Sequence, residues 1–403
     1  MVTRSYQHML AEHLRHDTQM LFLCGPRQVG KTTLAHSVTE LGYSTVYFSW
    51  DYDSHRKLIL QGQQAIADHA GLDSLQTQKP VILFDELHKF TDWKNFLKGF
   101  YDLYKDEAHI LVTGSARLDL FQRGGDSLMG RYFLYHIHPL SIAEILNTDL
   151  SDAEIRQPIA IDPEQFQALL KFGGFPEPYT KKNPRFSSRW QRLRWQQLFR
   201  EDIRDSSRVQ ELKQLELLAE LLTLQAGQLI NYSNLATKVR VSSDTIRRWV
   251  NELSSFYFGF TIKPWSTNIS RSLIKEPKFY VHDWSIITDI GARAENFIAC
   301  HLLKATQCWT DRGLGTYELY FLRDKEKREV DFLVTRNQIP WFLVEVKSGE
   351  NHSLSPALAY FQQQTQALHA FQEVIDKPFI LQNCFTHHKP IQVPASTFLS
   401  QLV

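Results

Sequence analysis

The chain has 403 residues, with 45 Lys plus Arg against 44 Asp plus Glu and a formal net charge of +1. That balance excludes recruitment to nucleic acid by bulk charge and leaves a local basic patch as the means of reaching such a partner. A hydrophobic fraction of 43% and an aromatic fraction of 12% exclude general disorder, and the length fits two or three domains of about 150 residues.

Residues 1–17 mix Arg, His, Gln and Glu around no apolar centre, so no secretory signal peptide is expected. The longest apolar runs are strand-length, far short of the roughly 18 residues that span a bilayer. Cys24, Cys300, Cys308 and Cys384 show no C-x-x-C spacing, which fits a reduced, cytoplasmic protein without a disulfide framework or zinc ribbon.

In chain order, the first element is a buried-strand run at 20–24, ended by Gly25-Pro26. Runs at 45–48, 81–84 and 109–112 repeat the type, with longer polar–apolar segments between them. Strands alternating with crossover helices give an α/β fold: a P-loop-type parallel sheet with helices on both faces.

Gly25, Pro26, Arg27, Gln28, Val29, Gly30, Lys31 and Thr32 match G-x-x-x-x-G-K-[ST] at every fixed position, between that strand and a helix opened by Thr33. The glycines let backbone N–H groups turn toward phosphates at a helix N-terminus. Residues 25–33 are therefore expected to bind ATP, with Lys31 on the β- and γ-phosphates and the Thr32 hydroxyl on Mg²⁺. Asp85 and Glu86 close the apolar run 81–84 on what should be a neighbouring strand. Asp85 is placed to hold Mg²⁺ through water and Glu86 to polarise the attacking water. Thr113 or Ser115, at the next strand tip, offers a hydroxyl to the γ-phosphate, although Ser115 equally suits a helix cap. Arg131 has three readings: the γ-phosphate in cis, the site of a neighbouring copy in a homo-oligomer, or a surface salt bridge.

GPRQVGKTTLA, VILFDELHKFTDW, LVTGSARLDL and GRYFLYHIHPLS together resemble the prokaryotic AAA-type ATPases that carry a C-terminal restriction-endonuclease-like domain of unknown function. The resemblance covers nearly the whole chain. It implies ATP and Mg²⁺ at Lys31, Thr32, Asp85 and Glu86. The helical lid and second sensor usual in AAA machines are not readable in the sequence.

The organisation expected is an ATPase domain at 1–150, a helical linker region at 151–210, a winged-helix-like module at 211–270 and a smaller α/β, restriction-endonuclease-like domain at 271–403. Within the linker, 181–205 holds eight basic residues against three acidic ones. Arg189, Arg192 and Arg200 with Trp190 and Trp195 could line a phosphate-tracking groove or form an aromatic-packed helix with a solvated Arg face. Helical patterns at 212–224, 232–239 and 244–253 resemble a helix-turn-helix, followed by a wing strand at 257–262. In a DNA-reading version Ser243, Thr245, Arg247 and Arg248 face a groove; otherwise the module is a spacer or a protein contact.

In the last part, Asp331 opens one strand, and Glu345 and Lys347 stand two apart on the next, so both point to one face. D-x(13)-E-x-K resembles the PD-(D/E)xK nuclease signature, whose acids hold Mg²⁺ at a scissile phosphate. The resemblance adds Glu295, on a preceding helix, and Gln362 as an auxiliary contact. The plain alternative is an ordinary Glu–Lys ion pair. The leading function is thus an AAA-type ATPase whose nucleotide state controls a DNA-directed C-terminal half. The alternatives are an ATP-licensed, Mg²⁺-dependent nuclease and a non-catalytic, nucleotide-regulated binding or scaffold protein.

Overall fold

The computed structural model describes residues 4–75, 77–114, 128–146, 153–204, 211–266, 276–349 and 352–403. The described residues fall into two units, one running up to His138 and the other starting at Pro139. The expected boundary at 150 therefore moves. The segment after His138 is tied to the second unit, where the Ser141 hydroxyl donates to the Val403 carbonyl (2.9 Å) and Glu144 pairs with Lys304 (2.5 Å).

The first unit is a five-stranded sheet of β1 (Met20–Cys24), β2 (Thr45–Ser49), β3 (Val81–Asp85), β4 (His109–Thr113) and β5 (Tyr132–His136), in the order β2-β3-β4-β1-β5. Every pairing is parallel. β1 and β3 are buried along their whole length, as continuous apolar runs in a sheet covered on both faces must be. Its helices are α1 (Tyr6–His16), α2 (Lys31–His36), α3 (Asp53–Gln61), α4 (Gln63–Ala70) and α5 (Trp93–Tyr104). In α5, Trp93, Phe96, Leu97, Phe100 and Tyr101 recur at helical spacing and are buried. Phe96 and Phe100 meet Phe84 of β3 edge to face, with ring centres 5.8 and 5.6 Å away. From β1 the chain crosses to the far edge at β2 and returns, which makes the C-terminal ends of β1 and β4 the natural ligand crevice.

The second unit begins with α6 (Ile142–Leu146), α7 (Pro163–Phe172), α8 (Pro176–Lys181) and α9 (Pro184–Gln197). The basic helix takes the aromatic-packed form of the two expected. Arg194 is half-buried, with its guanidinium 3.9 Å from the centre of the Phe175 ring and 3.6 Å from Asp283. Burial holds it down to about 10. Trp190 packs on Phe175, and Trp195 on Phe199 and Phe258.

Next come α10 (Leu212–Leu224), α11 (Tyr232–Val239) and α12 (Ser243–Ser255), the last two capped by the Asn231 and Ser242 side chains. Both caps accept from backbone N–H groups that would otherwise lack partners. The remaining strands are β6 (Gly259–Pro264), β7 (Lys278–Val281), β8 (Tyr317–Arg323), β9 (Glu329–Arg336), β10 (Ile339–Lys347), β11 (His369–Val374) and β12 (Ile391–Pro394). They form one sheet in the order β12-β11-β10-β9-β8-β6-β7. The expected wing strand is β6, and it belongs to this sheet: it pairs antiparallel with β7 and parallel with β8. A boundary at 270 would cut the sheet. Helices α13 (Ile290–Asp311), α14 (Pro356–Thr365) and α15 (Ala395–Ser400) complete the unit. Among the described residues no helix is long and apolar enough to cross a membrane.

Candidate functional site

The phosphate loop follows β1 directly, and its shape depends on two glycines. Gly25 has φ +147°, and a Cβ there would stand 2.2 Å from the Ile137 carbonyl oxygen; Gly30, at φ +97°, caps the start of α2. Gly25→Ala is therefore expected to displace the loop, costing about 1–3 kcal/mol in backbone strain alone and abolishing nucleotide binding. Urea unfolding and titration with a fluorescent ATP analogue would measure both effects.

Lys31 opens α2 with its side chain turned inward, donating from Nζ to the carbonyls of Gly25 (2.9 Å) and Pro26 (2.8 Å). Burial pulls its ammonium down to about 8, against the upward pull of Glu86, Cys24 and Asp85. A bound triphosphate would hold that proton in place. The sign follows: below about pH 8 Lys31 already carries its charge, and above it binding must take up a proton. Affinity for a nonhydrolysable ATP analogue is expected to be level below pH 8 and to fall by up to about tenfold per unit above it. Calorimetry in buffers of different ionisation enthalpy would detect the proton.

The acidic pair lies across the crevice. The expectation of a neighbouring strand is corrected here: β4 lies between β1 and β3, which brings Thr113 beside Asp85. The Thr113 hydroxyl donates to Asp85 Oδ1, and Tyr47 of β2 donates to Oδ2 at 2.8 Å. Burial, then the bond to Asp85, raises the Tyr47 phenol, so it serves as a neutral donor. Thr32 Oγ1 stands 3.5 and 3.4 Å from the two carboxylate oxygens. A hydroxyl and a carboxylate facing one point suit Mg²⁺, which takes few protein ligands besides water and phosphate.

Glu86 has φ +55°, a left-handed conformation uncommon outside glycine and frequent at functional sites. Its Oε2 is 3.3 Å from Lys89 Nζ and 3.7 Å from His88 Nε2, while Lys89 also binds Asp51 at 2.7 Å. The His88 side chain is buried, in keeping with a packing role. Ser115 lies outside the described residues. Arg131 precedes β5, which runs parallel to β1 with Met20 opposite Tyr132, so it sits at the sheet end away from the loop. The in-cis reading is corrected: Arg131 forks onto Asp102 at 2.8 and 3.0 Å, the surface ion pair. Tyr47 and Lys89 were not singled out in the sequence, because only the sheet brings a hydroxyl of β2 to β3.

In the second unit Glu295, Asp331, Glu345 and Lys347 do come together. Lys347 Nζ is 2.8 Å from Glu345 Oε1, and Asp331 Oδ2 accepts from the Val346 N–H at 2.8 Å. Lys278 of β7, absent from the sequence expectation, enters the same group, 2.6 Å from Glu329, 3.2 Å from Glu295 and 3.8 Å from Asp331. Tyr280 donates to Glu295 Oε1 at 2.7 Å. Burial and the charge of Asp331 push both Glu295 and Glu345 up to about 7. Gln362 is not part of this group: its amide donates to the carbonyls of Ala367 (3.1 Å) and His388 (2.8 Å).

Comparison with known proteins matches three regions of the chain. Residues 17–146 match the family described as an AAA domain, 163–295 a domain of unknown function (DUF8612) and 290–378 another (DUF4143). Uncharacterised proteins of Mycobacterium bovis and Mycobacterium tuberculosis are each 23% identical over 367 residues, covering 85% of this chain and 73% of theirs. Among solved structures, a Walker-type ATPase of Pyrococcus abyssi is similar at TM-score 0.45 and 14% identity, over 70% of this chain and 95% of that one. A RuvB variant of Thermotoga maritima is similar at TM-score 0.30 and 18% identity, over 64% and 88%. Residues 17–146 thus match an AAA domain, and the parallel sheet they form, with its glycine loop after β1, is a P-loop fold.

Proposed function

We propose that this chain is a Mg²⁺-dependent ATPase whose nucleotide state controls a DNA-directed C-terminal half. The observation that carries the first part is the convergence of Lys31 and Thr32, on the loop after β1, with Asp85 at the tip of β3. Residues 25–33 would wrap the triphosphate, and Lys31 would leave its loop carbonyls for the phosphate oxygens. Thr32 and Asp85 would hold Mg²⁺, which when bound neutralises charge on the β- and γ-phosphates. Tyr47 and Thr113 fix the Asp85 carboxylate through its two oxygens. Glu86 would orient the attacking water and accept its proton once it turns from Lys89 to the phosphate side.

Support for the second part comes from α12, which exposes Arg247 and Arg248. The Arg247 guanidinium lies 4.0 Å from the centre of the Tyr232 ring, a stacked arrangement that leaves its edge for phosphate. ATP turnover by wild type and Lys31→Ala, with and without duplex DNA, tests both parts. Lys31→Ala is expected to lose about 10²–10³-fold in rate, and DNA at low salt to change the wild-type rate. Equal rates for the two proteins would remove the phosphate site. A rate indifferent to DNA would remove the DNA-directed part alone.

A further inference from the structure

We propose that the ammonium of Lys278 takes the place among Glu295, Glu329 and Asp331 that a divalent cation would need, so that the C-terminal carboxylate cluster excludes metal and does not act as a metal-dependent nuclease centre. The nuclease reading of Asp331, Glu345 and Lys347 requires such a cation, so the residues present are its test.

The fit fails on three observations. The first is occupancy: Lys278 Nζ approaches carboxylate oxygens of Glu329, Glu295 and Asp331 at 2.6, 3.2 and 3.8 Å, and its side chain is 3% exposed. An ammonium buried there repels a second cation and offers no lone pair to it. The second is the count of oxygens. Glu329 Oε2 accepts from Arg323 (2.6 Å), Glu295 Oε1 from Tyr280 and Lys278, Asp331 Oδ2 from Val346, and Glu345 Oε1 from Lys347. Among the cluster's buried oxygens, Glu345 Oε2 alone has no partner. Each of these four carboxylates therefore already accepts from a protein donor, with which a metal ion would have to compete. Among the described residues no group of three or more His, Cys, Asp or Glu side chains is arranged to hold a metal ion.

The third observation is closure. Residues 227–230, between α10 and α11, run along β7: the Gly227 N–H donates to Phe279 and the Ile230 N–H to Pro277, both at 2.8 Å. A Cβ on Gly227 would stand 3.0 Å from Glu295 Oε1, so this segment lies directly on the carboxylate. This segment packs on Glu295 and on the strand that carries Lys278. The cluster is then a neutralising network joining β7, α13, β9 and β10.

The experiment is a Mn²⁺ titration of the nucleotide-free full chain, with free Mn²⁺ read by electron paramagnetic resonance. Wild type and Asp331→Asn are expected to bind Mn²⁺ equally, because no ion sits on Asp331. Lys278→Met, which keeps the volume and removes the charge, is expected to gain one Mn²⁺ per chain, and adding Glu345→Gln should abolish that gain. Wild-type binding that Asp331→Asn removes would overturn the proposal. So would a folded Lys278→Met, checked by circular dichroism, that gains no ion. Should Lys278→Met fail to fold, the comparison of wild type with Asp331→Asn decides by itself.

Discussion

Glu86→Gln is expected to bind Mg·ATP about as well as wild type and to hold it uncleaved, with turnover down by about 10²–10⁴-fold. In the proposed site Lys31 and the loop N–H groups would carry the binding, while Glu86 stands across the crevice with a left-handed backbone. The amide keeps the shape and can orient a water, but it cannot take its proton. It also loses the attraction of Lys89, 3.3 Å away in the wild type. Filter binding of labelled ATP together with single-turnover hydrolysis separates the two effects. Loss of binding in parallel with turnover would show that Glu86 builds the site rather than serving the chemistry.

Lys304→Met should destabilise the chain by about 3–5 kcal/mol, the usual consequence of leaving one member of a buried ion pair without the other. Lys304 on α13 and Glu144 on α6 are 2.5 Å apart, with side chains 2% and 0% exposed. Lys304 Nζ also lies 3.4 Å from the Pro139 carbonyl. This pair, with the Ser141 bond to Val403, holds the segment after His138 in the second unit. Adding Glu144→Gln to Lys304→Met removes the buried carboxylate that faced Lys304 and is expected to restore most of the loss. Urea unfolding of the two variants beside wild type measures it. A single variant within about 1 kcal/mol of wild type, the size expected of a solvated pair, would mean that the pair is open to water.

What the sequence revealed and concealed follows from the range of each signal. The glycine motif is contiguous, so the turn that residues 25–30 make between β1 and α2 was legible outright. Asp85 and Glu86 were legible because an apolar run ends in acids, but the strand between β1 and β3 was not, since strand order is set by crossovers that no local pattern records. Asp331, Glu345 and Lys347 could be read from the two-residue period of strands. Lys278 could not: it is one lysine in a short strand, some fifty residues upstream of Asp331, and only β6 and β8 bring β7 into the same sheet. Tyr47 escaped for the same reason. Arg194 is a different case. It stands four residues after Trp190, so it shares that residue's buried helical face, and the phase of the helix could have separated it from Arg189 and Arg192. The helix-cap residues Asn231 and Ser242 show the reverse, with local chemistry fixing the starts of α11 and α12.

The proposed ATPase function depends on where a triphosphate sits. A crystal structure of the chain with Mg²⁺ and a nonhydrolysable ATP analogue tests that directly. The expected result has the β- and γ-phosphates within hydrogen-bonding distance of the backbone N–H groups of residues 28–32, Lys31 Nζ moved from the Gly25 and Pro26 carbonyls onto the phosphate, and the metal between Thr32 and Asp85. An analogue bound elsewhere, with Lys31 still donating to those two carbonyls, would contradict it.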